Sequence, residues 1–124
     1  SIGCQTILRY LETTQGERVG GVVLVAGWLT LTPEGMPSAE ERAVAQPWIT
    51  APIDWEAIRG KSKNFTAIFS DNDPYVPPSN ANVFREKLGA NIVTEHGKGH
   101  FGGDDGITEL PSALEAVLQH AGIA

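Results

Sequence analysis

The chain holds 124 residues, 41% of them hydrophobic and 19% charged, with 14 glycines and 8 prolines. That composition excludes a disordered, collagen-like or disulfide-scaffold protein, and the length suits one domain or a part of one. Nine basic against fifteen acidic residues leave a formal charge of −6, which argues against nucleic acid as a partner.

Apolar residues at Cys4, Ile7, Leu8 and Leu11 recur at helical spacing and predict a helix over residues 2–14 with one face on a core. Gly16 is a stop signal. Val22-Val23-Leu24-Val25-Ala26, a short β-branched run between glycines, predicts a strand buried on both faces, as in a parallel sheet. Residues 28–62 have another texture, with four prolines, all three tryptophans and little periodicity; they read as a lid-like excursion between sheet elements. Within it, Ser38-Ala39-Glu40-Glu41 is a capping box opening a short helix that Pro47 is expected to end. Asp54 is placed to cap another over Trp55–Arg59.

Phe65-Thr66-Ala67-Ile68-Phe69 predicts a second strand, followed by a turn-rich loop to Pro78. Ser79 is the expected cap of a helix with Val83, Phe84 and Leu88 on its apolar stripe and Gly89 at its end. Ile92-Val93-Thr94 predicts a third strand, and residues 96–108 a glycine-rich loop. Pro111 opens a last helix, with Leu114, Val117, Leu118 and Ala121 on one face. Strands alternating with helices imply an α/β fold, three layers α/β/α around a mostly parallel sheet. Three strands are few for that architecture, and no strand feeds the first helix. Residues 1–124 are therefore expected to be the C-terminal part of a single domain, with the N-terminal strands and any targeting signal lying upstream. No apolar run of membrane-spanning length occurs, so no membrane role is expected. The single cysteine, Cys4, forbids an intrachain disulfide; a reducing, cytoplasmic setting is the expectation.

Ligands of open α/β sheets bind beyond the carboxyl ends of the strands. Three loops follow such ends here: one with Gly27-Trp28, one with Asp71-Asn72-Asp73-Pro74, and one with His96-Gly97-Lys98-Gly99-His100. An aspartate and a histidine on neighbouring loops make a base with an orienting partner. Ser1 supplies the nucleophile that this pair lacks. Ser1-Ile2-Gly3 at a helix start looks like the second half of the Gly-x-Ser-x-Gly elbow, in which a sharp turn exposes the hydroxyl and the helix N-terminus faces the developing oxyanion. The Ile2 N–H would then be one oxyanion donor, the second coming from an upstream loop. The chain order Ser1, Asp73, His100 is that of the α/β-hydrolases.

On Ser1-Ile2-Gly3-Cys4-Gln5-Thr6, Ser70-Asp71-Asn72-Asp73-Pro74-Tyr75-Val76-Pro77 and Gly99-His100-Phe101, the sequence resembles the YdeN-like group of small serine hydrolases, also called the retinoblastoma-binding protein nine family, within the α/β-hydrolase superfamily. The resemblance covers nearly the whole chain. It implies an α/β-hydrolase fold, Ser1 as nucleophile, Asp73 as acid and His100 as base, and an intracellular serine hydrolase of small esters. It implies no cofactor. The absent upstream half would be needed for activity.

Each residue also has a plainer role to weigh. Ser1 could be a helix cap, or an N-terminal nucleophile using its own amine. Asp73 competes with Asp71, which is expected to shape the loop by accepting hydrogen bonds. His100 competes with His96, an ordinary loop residue, and with His120, expected to cap carbonyls or face solvent. Asp104 and Asp105 are expected to be solvated, and no metal site is expected because the two loop histidines do not share a helix face. Trp28 is the candidate for a substrate pocket; Trp48 and Trp55 could line it too or simply close the core. The competing function is a protein-interaction module that keeps a hydrolase fold without its catalysis.

Overall fold

The computed structural model describes residues 1–123. Its elements run α1 (Ile2–Thr13), β1 (Val22–Val25), α2 (Ala39–Thr50), α3 (Trp55–Arg59), β2 (Phe65–Ser70), α4 (Ser79–Leu88), β3 (Asn91–Glu95) and α5 (Pro111–His120), with single 3₁₀ turns at Pro33–Gly35 and Gly103–Asp105. The strands form one parallel sheet in the order β1-β2-β3, with Leu24 beside Ala67 and Ala67 beside Ile92.

Strand alternation sorts the layers. Val22 and Leu24 of β1 and Phe65, Ala67 and Phe69 of β2 point to one side. There they join Cys4, Leu8 and Leu11 of α1, Ile58 of α3 and Phe84 and Leu88 of α4 in one buried cluster. Val23 and Thr66 point to the other side, where α5 lies: Thr66 Oγ1 is 3.0 Å from His120 Nε2, and the His120 side chain fills the space that a Cβ on Gly21 would need. The result is three layers, α/β/α, around a parallel sheet. Every residue of β2 is buried, as expected of the central strand, whereas the alternate residues of β1 are only half-covered.

Three local expectations need correction. The α2 helix does not stop at Pro47 but runs on to Thr50. Proline removes one backbone hydrogen bond, but Arg9 of α1 compensates at the far end: its guanidinium donates to the carbonyls of Trp48, Ala51 and Pro52 at 3.3, 2.9 and 2.5 Å. Ile49 packs on the core beyond the proline. The α4 helix begins at Ser79 itself, with Pro78 in the cap position and no side-chain cap. Its end is as expected, with Gly89 left-handed at φ 63°. His120 neither caps nor faces water; it packs against β1 and β2 as above. Along α5, Leu114 and Val117 are 61% and 51% exposed in this chain and Ala116 is buried. No helix among the described residues is long and apolar enough to cross a membrane.

Candidate active site

All three strands present their carboxyl ends on one rim, and the three candidate residues, Ser1, Asp73 and His100, stand in the segments there. Ser1 is the N-cap of α1; its α-nitrogen donates to the carbonyl of Val25, the last residue of β1, at 2.6 Å, and its carbonyl accepts from the Cys4 N–H at 2.9 Å. Asp73 follows β2 and His100 follows β3. As the first helical residue, Ile2 has a backbone N–H with no intrahelical acceptor, the kind of group an anion can use.

The loop after β2 clasps the loop after β3 at consecutive positions. Asp71 Oδ1 accepts the Gly97 N–H at 2.9 Å, Ser70 Oγ accepts the Lys98 N–H at 2.9 Å, and Asn72 Oδ1 accepts the Gly99 N–H at 2.7 Å. Next in both chains, the Asp73 carboxylate accepts from His100 Nδ1 through Oδ2 at 2.8 Å. The other oxygen of Asp73 accepts the backbone N–H groups of Tyr75 and Val76, at 2.9 and 3.2 Å. Both carboxylate oxygens are thus occupied. The Asp73 side chain is 3% exposed and the His100 ring 22%. The Tyr75 ring packs edge-on against the imidazole, with centroids 5.3 Å apart.

With Nδ1 held by Asp73, the imidazole presents Nε2 as its free proton acceptor. Among the described residues no hydrogen bond joins the Ser1 hydroxyl to His100. Neighbouring strands lie about 4.8 Å apart, so β1 and β3 are separated by roughly 10 Å of sheet; Asp73, which follows the middle strand, holds His100, which follows β3.

Asp71 and His96 form a second pair, Oδ2 to Nδ1 at 2.7 Å, but the histidine ring is 86% exposed. The Asp71 carboxyl is held below the usual aspartate range, first by the Gly97 N–H and next by its hydrogen bond with His96. Asp71 is thus the loop-shaping acceptor expected of it. Asp105 is exposed, as expected, and its carboxylate also folds back onto the histidine loop: Oδ2 accepts the N–H of His100 at 3.1 Å and that of Gly102 at 3.0 Å. Asp104 is exposed. No three His, Cys, Asp or Glu among the described residues converge as a metal site.

Beside Ile2 opens a cleft of about 420 Å³, lined by Ile2, Trp28, Val44, Ala45 and Trp48, with Glu40 and Glu41 at its polar side. Such a volume suits a small ligand. Trp28 and Trp48 thus share the cleft, while Trp55 packs edge-to-face on Phe84, centroids 6.2 Å apart, against the core. The backbone around Trp28 is fixed by two buried side-chain amides, Gln5 and Asn80, which residue pattern alone does not single out. Gln5 Nε2 donates to the Trp28 carbonyl at 2.9 Å. Asn80 Oδ1 accepts from Leu29 and Thr30, and its Nδ2 donates to the carbonyls of Thr30 and Pro77. Polar helix residues read as solvent-facing; only the tertiary fold shows that these two are buried.

The sequence matches the family described as Serine hydrolase over residues 1–119. It is 27% identical over 121 residues to the Bacillus subtilis (strain 168) protein named "Putative hydrolase YdeN", an alignment covering 97% of this chain and 60% of that protein. The crystal structure of the ydeN gene product from B. subtilis superposes with a TM-score of 0.84, at 27% identity, over 98% of this chain and 62% of that one. The parallel sheet and its helical layers therefore have an α/β-hydrolase-like arrangement, and the chain spans about 60% of the length of the relative it matches. With the family match running from Ser1 to Gln119, through all three strand-end loops, the chain belongs to the serine hydrolase family.

Proposed function

We propose that this chain carries the nucleophile, base and acid of a hydrolase that cleaves small carboxylic esters by acyl transfer, with Ser1, His100 and Asp73 in those roles. The observation that carries the proposal is the Asp73–His100 pair: a buried carboxylate with both oxygens engaged, fixing one imidazole nitrogen and leaving the other without a hydrogen bond among the described residues.

In the first step His100 Nε2 takes the Ser1 hydroxyl proton as Oγ bonds to the ester carbonyl carbon. The carbonyl oxygen becomes an oxyanion, met by the Ile2 N–H and the partial positive charge of the α1 N-terminus. Collapse expels the alkoxide, which leaves with the proton from His100. A water molecule then gives a proton to His100 and its oxygen to the acyl carbon; the acid departs and Ser1 regains its proton. Asp73 stabilises the imidazolium in both steps without taking up a proton. The cleft beside Ile2 is the seat proposed for the acyl group, with Trp28 in its wall. The chemistry calls for no metal or organic cofactor. The second oxyanion donor and the rest of the substrate site belong to a segment of the same domain that lies outside this chain.

Hydrolysis of p-nitrophenyl esters from acetate to octanoate by the intact protein tests this proposal. Turnover that disappears in both Ser1→Ala and His100→Ala is the expected result. A folded protein with no turnover of any ester, or turnover that survives both substitutions, overturns it, and the first outcome is what a protein-interaction module would give.

A further inference from the structure

The strongest unassigned feature of the rim is the carboxylate of Asp105. We infer that Asp105 is a positioning residue for His100, an inference that rests on His100 being the base proposed above. His100 stands in a loop with glycines at 97, 99, 102 and 103, whose freedom works against a fixed imidazole. Asp73 restrains the ring through Nδ1 and Tyr75 packs edge-on against it, but neither holds the backbone from which the ring projects. Asp105 Oδ2 supplies the second restraint: it accepts the backbone N–H of His100 and that of Gly102, so it spans Phe101 and pins the loop on both sides.

Two further features show that the loop is shaped around this carboxylate. Phe101, between the two donors, is left-handed at φ 59°, a conformation that a bulky residue adopts only when its surroundings impose it. Gly99 is left-handed at φ 58°, and a Cβ there would lie 2.3 Å from Asp105 Oδ1, so the position beside the base has no room for a side chain while Asp105 is in place. Asp105 is itself held at the end of the 3₁₀ turn, where its N–H donates to the Gly102 carbonyl at 3.0 Å. The role needs an acceptor oxygen and not a charge. Asparagine can therefore fill it and alanine cannot.

Displacing a catalytic group by about 1 Å costs on the order of 100-fold in rate. Ester kinetics of the intact protein should accordingly show Asp105→Ala lowering kcat by about 10- to 100-fold with KM changed less than about twofold, and Asp105→Asn keeping kcat within about threefold of wild type, with the acidic limb of its pH–rate profile unmoved. The downfield proton of the His100 Nδ1–Asp73 bond, followed by NMR, should broaden or shift in Asp105→Ala and stay in place in Asp105→Asn. An Asp105→Ala protein with wild-type kcat overturns the inference, as does Asp105→Asn falling as far as alanine. His100→Ala is the control: if it leaves turnover intact, the base assignment has failed; if it abolishes turnover while Asp105→Ala does not, only the positioning role has.

Discussion

Two aspartate–histidine pairs bridge the same two loops, and their difference is instructive. Asp71–His96 and Asp73–His100 are two residues apart on one loop and four on the other, and their bonds are nearly equal at 2.7 and 2.8 Å. Distance does not distinguish them. Burial does: the first pair has side chains 86% and 47% exposed, the second 22% and 3%. Water competes for His96 on all sides, and an ion pair in that setting holds little. At Asp73, solvent is excluded and the lone pairs are already committed to Tyr75, Val76 and His100, so the imidazole has one orientation. Two pairs of the same chemical composition thus differ in what they do to the structure, one closing an exposed loop and the other orienting a largely buried imidazole.

Substitutions that treat the two aspartates alike separate them. Asp73→Asn should lower kcat by about four orders of magnitude, because an amide in place of the carboxylate favours the wrong histidine tautomer; Asp71→Asn should change kcat less than about threefold. Equal effects in steady-state ester kinetics would erase the distinction drawn from burial.

Smaller effects concern the acyl seat and the outer pair. Val44 lines the cleft yet is 71% exposed, so Val44→Trp should leave the melting temperature within about 2 °C while lowering kcat/KM for octanoate about tenfold more than for acetate. A uniform loss across chain lengths would place the acyl group elsewhere. His96→Ala, at the exposed pair, should alter stability by no more than about 0.5 kcal/mol by urea denaturation.

The pH dependence of the Asp71 contact has a definite sign. Its folded-state pKa is depressed, so the stabilisation is fully present above the unfolded carboxylate value of about 3.9 and is lost as pH falls through the lower folded value. The melting-temperature gap between wild type and Asp71→Asn should therefore be constant from pH 7 to pH 5 and close below pH 4. A gap that widens in acid would contradict the cause assigned to the shift.

Much of this arrangement could be read from residue order. The strands declare themselves as short β-branched runs, and Gly89 and Pro111 mark helix boundaries by local chemistry. Asp73 and His100 emerge because carboxylate and imidazole follow consecutive parallel strands. The failures share a cause, which is dependence on a remote partner. Pro47 reads as a stop unless Arg9 is known to satisfy the carbonyls beyond it. His120 reads as a cap unless Gly21 and Thr66 are known to lie beneath it. Asp105 is solvated as it reads, but nothing in an Asp-Asp pair reveals that its carboxylate also meets the His100 N–H.

The most direct measurement is labelling of the intact protein with a fluorophosphonate, followed by peptide mass mapping. The proposed chemistry predicts one adduct, on Ser1, formed at a rate that falls at least about a hundredfold in His100→Ala. A folded protein that takes no label, or an adduct on any other serine, would contradict it.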